Sequence, residues 1–217
     1  MRLTSEQLAK FQQYYKLLLQ WNQKINLISR KDTHQLISYH FTDSLSVLNE
    51  IPASSTVYDL GSGAGLPGIP LKIMRDDINL YLVESTKKKA TFLELAKQEL
   101  QLKNVTVLAE RAECLKQISA NLGEIQADIV LLRLIGRIKK LAPLAVSLVK
   151  PTGKIIFYKS KTAGAEISAA KKVLTKFQLR PTIKEIALPG TKITRRLVIL
   201  QMPGTAFPQN WTYPKWN

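Results

Sequence analysis

Residues 58–73 read YDLGSGAGLPGIPLKI, and two different loops are superimposed in them. Taken from Gly63, GAGLPG matches the G-x-G-x-x-G pattern that cradles a dinucleotide pyrophosphate; taken from Asp59, the run is D-x-G-x-G-x-G, a loop built around a cofactor without a phosphate. A pyrophosphate site puts its first glycine directly after the strand, so that the phosphates meet the next helix N-terminus. The β-rich run TVYDL ends at Leu60, so the glycine in that place is Gly61 and the dinucleotide match starts two residues late. Asp59 would also set a carboxylate beside the phosphates, where like charges repel, whereas a cationic cofactor would be attracted by it. Register and electrostatics both favour the second loop.

Outward from that loop, short β-rich runs alternate with helical patterns. The runs are TVYDL (56–60), NLYLVE (79–84), VTVLAE (105–110), ADIVLL (127–132) and KIIFYK (154–159), with helices expected at Lys88 to Leu100, Ala142 to Val149 and Ala165 to Phe177. This alternation predicts a parallel sheet covered on both faces. The last two runs, TIKEIAL (182–188) and RRLVILQ (195–201), are joined by PGTKIT, too short for a crossover helix, and so predict an antiparallel hairpin. Upstream, Thr4 and Gln7 form a T-x-x-Q capping box, and Leu8, Phe11, Tyr15, Leu18 and Leu19 recur at helical spacing up to Trp21. After a polar turn at Arg30 to Asp32, a second helical pattern runs from Leu36 to about Glu50, where Ile51-Pro52 stops it.

The expected fold is therefore α/β, a class I methyltransferase domain: a Rossmann-like, seven-stranded sheet with the last strand antiparallel, over residues 51–203. A helical cap precedes it at 1–50, and a tail rich in aromatics follows at 204–217, TAFPQNWTYPKWN making up nearly all of it. S-adenosylmethionine, with its α-ammonium and sulfonium, is the cofactor that suits Asp59. The glycines let it lie against the backbone, and Glu84 follows Gly61 at close to the ~20-residue separation at which an acidic residue meets ribose hydroxyls.

The charge points to the partner. Lys and Arg number 32 against 16 Asp and Glu, a net charge of +16, and a polyanion is the first explanation. No long apolar span or basic amphipathic helix suggests a membrane, and MRLTSEQLAK has no signal-peptide core, so the expected place is the cytoplasm. One cysteine, Cys114, and two histidines, His34 and His40, provide no metal site. The strand ends that face the crevice carry Lys87-Lys88-Lys89, Arg111, Arg133, Lys159 and Lys161, and the hairpin adds Lys192, Arg195 and Arg196. Such a cluster suits phosphate-backbone binding.

The target atom is narrowed by what is missing. Amino-group methylation of adenine or cytosine commonly uses a polar-Pro-Pro-aromatic loop after the fourth strand, where this chain has LLRLIGR (131–137). Cytosine C5 needs a thiolate in a later loop, and Cys114 follows the third strand. Guanine N7, with an exposed lone pair and no proton to remove, needs only positioning.

Several motifs together resemble the RsmG (glucose-inhibited division protein B, GidB) family of bacterial small-subunit ribosomal RNA methyltransferases, which act on guanine N7. They are Trp21-Asn22 with Asn26-Leu27, HFTDS (40–44), DLGSGAGLPGIPL (59–71), ES-x-KKK-x-x-FL (84–93), Arg111-Ala112-Glu113 and RRLVIL (195–200). The resemblance implies cofactor contacts at Gly61, Leu66, Ala112, Glu113 and Arg133, with Glu84 and Ser85 at the ribose. Asp59, Gly63 and Gly65 join them from the loop itself. Arg133, Lys159, Arg195 and Arg196 are expected to hold RNA, and the partner to be small-subunit (16S) ribosomal RNA or the small subunit, met by a monomer. Two departures stand out: the family's Ser-Arg-Ala after the fourth strand is Leu132-Arg133-Leu134, and its Lys-Gly after the fifth is Lys159-Ser160. His40 and Asp43 either shape the entrance or form a buried pair that pins the cap. The competing readings are a methyltransferase of another RNA or of a ribosomal protein, and a non-catalytic RNA-binding ribosome-assembly factor.

Overall fold

The computed structural model describes residues 3–29, 36–115 and 126–204. Seven strands form the sheet: β1 (Thr56–Leu60), β2 (Asn79–Val83), β3 (Val105–Leu108), β4 (Ala127–Arg133), β5 (Val149–Lys159), β6 (Arg180–Ala187) and β7 (Thr194–Gln201). Their order across the sheet is β3-β2-β1-β4-β5-β7-β6. The first five pair in parallel, and β7 lies antiparallel between β5 and β6. The order reverses between β1 and β4, which opens a crevice beyond their carboxyl ends, where open α/β sheets bind ligands.

Period-two alternation sends side chains into two cores. Val57, Leu80, Leu82, Ile129, Leu131 and Ile156 face one layer, while Tyr58, Leu60, Val130, Leu132, Ile155 and Phe157 face the other. The first layer is covered by α3 (Gly68–Met74) and α4 (Lys87–Glu99), the second by α5 (Ile138–Val146) and α6 (Ala163–Lys176). β4 is buried along nearly its whole length, which explains its unbroken apolar run.

The N-terminal segment shares the first core instead of forming one of its own. In α1 (Ser5–Asn22), begun by the Thr4–Gln7 capping box, Phe11, Tyr14 and Leu18 are buried against the layer that holds Ile69, Leu71 and Phe92. Trp21 tilts against Phe92 with ring centroids 5.7 Å apart. Asn22 is buried because its Oδ1 accepts from the N–H groups of Leu27 and Ile28 at 2.9 and 3.0 Å, turning the chain after the helix. The turn at Arg30 to Asp32 lies outside the described residues, as does His34.

Two expectations about helices are corrected. The helix expected from Leu36 to Glu50 is broken into a π-helical turn (Leu36–Phe41), a single α turn, α2 (Thr42–Leu45), and a 3₁₀ turn (Leu48–Glu50). The wide turn brings His40, Asp43 and Ser44 to buried positions, where tertiary partners outweigh regular helix geometry. The helix expected at Ala142 to Val149 begins at Ile138 and ends at Val146. Its start is capped from another element, since Glu166 accepts from the Ile138 N–H at 3.1 Å, and Leu148 is drawn into the sheet by accepting from the Ala127 N–H at 2.9 Å.

Candidate functional site

The glycine loop is built by the ends of β1 and β2. The N–H groups of Gly61 and Ser62 both donate to the Val83 carbonyl, at 2.8 and 3.0 Å, and the Ser62 hydroxyl donates to the Asp59 carbonyl at 2.7 Å. Gly61 has φ +67°, and a Cβ there would stand 2.5 Å from Ile135 Cγ2, so any side chain would be both strained and in collision. A Cβ on Gly63, at φ +56°, would meet nothing nearer than the Gly61 carbonyl oxygen at 3.8 Å, so that side of the glycine is open for a ligand to lie against the backbone.

Two carboxylates hold the loop from below and from the side. Glu84 is buried, and its two oxygens accept from the Gly63 N–H at 2.9 Å and the Thr86 N–H at 2.7 Å. Asp59 Oδ2 accepts from the Gly68 N–H at 2.9 Å, while Oδ1 is buried without a hydrogen-bond partner among the described residues. Burial pushes the Asp59 carboxyl up to about 7, with the Glu84 charge adding to it, against the opposing effects of the Gly68 N–H and Arg133. A pyrophosphate on the loop would have to sit beside the Glu84 carboxylate in the cavity wall, whereas a cationic group would be drawn to it.

Two adjoining cavities flank the loop and share Gly61, Ser85 and Ile135 in their walls. One, of about 240 Å³, is lined by Leu60, Val83, Arg111, Ala112, Glu113, Leu141 and Leu144. The other, of about 470 Å³, is lined by Leu27, His40, Gly63, Leu66, Glu84, Lys89, Arg133 and Leu134. Most residues expected at the cofactor thus border this pair of cavities. Asp59 and Gly65 do not, and lie behind the loop; Asp59 ties its two ends together. Ser62, Ile135, Leu141 and Leu144 are wall residues that the sequence reading missed; their places depend on how α5 and the loop after β4 cross the strand ends. A larger apolar groove, of about 580 Å³, runs along α1 past Leu8, Phe11, Tyr15 and Leu45. Its lining, which also includes Gln12, Lys16 and Thr42, contains no residue of the glycine loop.

Behind the larger cavity stands a buried ionic network. Asp43 has no exposed surface and receives Arg133 Nε at 2.9 Å and Arg195 through Nε and, at 3.0 Å, Nη2. Arg133 Nη2 lies 2.9 Å from His40 Nδ1. Because guanidinium nitrogens only donate, Nδ1 is the acceptor and the ring proton sits on Nε2. Arg195 also donates to the Tyr39 hydroxyl at 3.0 Å and the Lys159 carbonyl at 2.8 Å, and the Tyr158 hydroxyl donates to the Ser44 carbonyl at 2.9 Å.

Each of the four cations expected to hold RNA has a carboxylate partner within the protein. Arg133 and Arg195 are 5% and 6% exposed, with their charge directed at Asp43. Lys159 pairs with Glu166 at 2.8 Å and donates to the Gly136 carbonyl at 2.6 Å; Arg196 pairs with Glu185 at 2.6 Å. The exposed cations at this end are others: Lys87, Lys88, Arg111, Arg137, Lys161 and Lys192.

Cys114 is half-buried and lines neither cavity. Among the described residues no group of His, Cys, Asp and Glu could hold a metal ion, and no helix is long and apolar enough to cross a membrane. All the aromatics of the C-terminal tail lie outside the described residues.

Comparison with known proteins agrees with this geometry. A family model described as rRNA small subunit methyltransferase G matches residues 7–192. The Ribosomal RNA small subunit methyltransferase G of Lachnoclostridium phytofermentans is 36% identical over 207 residues, covering 93% of this chain and 84% of the relative. Its counterpart in Sorangium cellulosum is 39% identical over 191 residues, 86% of this chain and 77% of the relative. Among solved structures, an O-methyltransferase from Bacillus cereus in complex with SAH superposes with a TM-score of 0.58 at 15% identity, over 87% of this chain and 90% of that one. Trm5b from Pyrococcus abyssi superposes at 0.54 with 14% identity, over 80% and 49%. These two likenesses are of fold, the class I methyltransferase fold with its antiparallel last strand.

Proposed function

Because the chain belongs to the rRNA small subunit methyltransferase G family, we propose that it transfers a methyl group from S-adenosylmethionine to N7 of a guanine in small-subunit ribosomal RNA, in the cytoplasm. The observation that supports this most directly is the pair of cavities sharing Gly61, Ser85 and Ile135 at the point where the strand order reverses. One has room for a cofactor's base and the other opens to a second ligand.

The residues present fit the cofactor. The open face of Gly63 and the positive φ of Gly61 leave a cradle that side chains would fill. Gly61, Leu66, Glu84 and Ser85 would hold its ribose and amino-acid parts, and Ala112, Glu113, Leu141 and Leu144 its adenine. Asp59 acts through the loop it ties. When bound, S-adenosylmethionine supplies a methyl group activated by its sulfonium.

The protein's remaining work is to place the acceptor. Guanine N7 offers a lone pair and no proton, so neither nucleophile nor base is required, only alignment. Glu84 already accepts two backbone N–H bonds and is occupied in shaping the loop. Arg133, fixed by Asp43 and His40, presents a rigid cationic wall, a positioning role that replaces the direct RNA contact expected of it. Among the described residues, Lys87, Lys88, Arg111, Arg137, Lys161 and Lys192 are exposed cations at this end that could meet RNA phosphates. Lys159 and Arg196, at the rim, would have to exchange a carboxylate partner for a phosphate.

Incubation with methyl-labelled S-adenosylmethionine and small ribosomal subunits lacking the modification, followed by nucleoside digestion, tests this. Label in 7-methylguanosine is expected. Label in another nucleoside, or in a ribosomal protein, would overturn the target, and absence of label would overturn the catalytic reading.

A further inference from the structure

The loop that joins β4 to α5 contains a residue that neither packing nor local propensity explains. Leu134 has φ +60°, a left-handed conformation that a branched apolar side chain adopts only under constraint. It is also 77% exposed, the most open large apolar residue among those described. Both features cost stability, one through backbone strain and the other through hydration of an isobutyl group.

The constraint comes from its neighbours on both sides. Arg133 is fixed by Asp43 and His40, Ile135 is pressed against the bare Cα of Gly61, and the Gly136 carbonyl is held by Lys159 at 2.6 Å. Between these anchors the backbone at 134 must turn left-handed, which thrusts the side chain outward at the wall of the larger cavity. Strain held in place by its surroundings beside a ligand cavity is how binding surfaces are commonly prepared.

We propose that Leu134 is the apolar platform on which the target base packs when it leaves its stack and enters the cavity, which makes it a positioning residue for the acceptor. The inference rests on the methyltransferase reading above. A base taken out of its helix needs an apolar or aromatic surface in place of its lost stacking neighbours, and aliphatic wedges serve this purpose. Of the other large apolar residues in this wall, Leu27 and Leu66 are buried and Ile28 and Ile135 half-buried, so Leu134 is the one whose side chain stands free to meet a planar ring. A flexible polar side chain there would leave the ring without a face to rest on.

The test compares Leu134→Asn, Leu134→Gly and Leu134→Met, with small ribosomal subunits lacking the modification as substrate. Asn and Gly accept the left-handed backbone, so both variants should melt at the parent temperature or above it, bind S-adenosylmethionine with unchanged Kd, and lose tenfold or more in kcat at saturating subunits. Met, which keeps an apolar surface, should recover most of the rate. An independent reading needs no turnover: a photoreactive amino acid at position 134 should cross-link to the nucleotide that receives the methyl group or to its immediate neighbour. The inference is overturned if Leu134→Asn weakens cofactor binding instead, which would make Leu134 a cover for the cofactor. It is also overturned by unchanged kcat, or by cross-links that fall on a ribosomal protein or on distant RNA. Should the parent itself transfer no methyl while the cross-link still falls on one defined RNA base, the function would fail and the platform would stand.

Discussion

Asp59 and Glu84 show how differently two buried carboxylates can serve one loop. Glu84 has both oxygens bonded to N–H groups, whereas Asp59 leaves Oδ1 without a donor and has its carboxyl pushed up to about 7 by burial. Its folded pKa thus lies above the ordinary value of 3.8, so the protonated form is favoured in the folded chain. That contribution to stability is complete below about pH 4 and is lost as the pH rises to about 7. Asp59→Asn, which keeps an acceptor for the Gly68 N–H, should remove this dependence. At pH 8 the variant should be more stable than the parent by up to about 4 kcal/mol, with little difference at pH 4, as measured by urea unfolding. A constant difference across that range would show that Asp59 does not titrate there.

At the scale of elements, one side chain of the N-terminal segment holds two strands of the sheet at once. Asp43, on α2, receives Arg133 from the end of β4 and Arg195 from β7. Such a network is weak evidence of net stabilisation, because desolvating three charges offsets much of their attraction. Removing its centre is another matter, since two guanidiniums would be left buried without an anion. Asp43→Ala should cost about 3–5 kcal/mol in unfolding free energy and release the wall that Arg133 forms, weakening methyl transfer as well. Adding Arg195→Met should return part of the stability without returning activity. Equal recovery of both would mean that the network only holds the segments together.

At the scale of the whole molecule, the net charge of +16 is divided between two tasks. Buried cations such as Arg133 and Arg195 answer Asp43, and exposed ones such as Lys87, Lys88 and Arg111 remain available to a polyanion. Replacing these last three by alanine should leave the melting temperature nearly unchanged. It should also lower the salt slope of RNA binding by about 2, at roughly 0.7–0.9 for each phosphate no longer neutralised. Arg195→Ala should do the reverse, destabilising the fold with little change in slope. If Arg195→Ala instead flattens the salt slope in a folded protein, Arg195 reaches RNA after all.

Much of this was legible along the chain. Alternating β-rich and helical runs, the short PGTKIT link and the position of Gly61 directly after TVYDL are local properties, and they determined the parallel sheet, the closing hairpin and the glycine turn at the end of β1. Glu84 could be found for the same reason, because its distance from Gly61 is set by one βαβ unit. What sequence could not decide was which charges face water. Arg133 and Lys87 both follow strands, yet one is buried against Asp43, 90 residues away, and the other is exposed. Nor could it place Ile135 on Gly61 or turn Leu134 outward, since both follow from contacts between segments far apart in the chain. Secondary structure and loop chemistry are written in neighbouring residues, but burial, ion pairing and backbone strain exist only once distant elements meet.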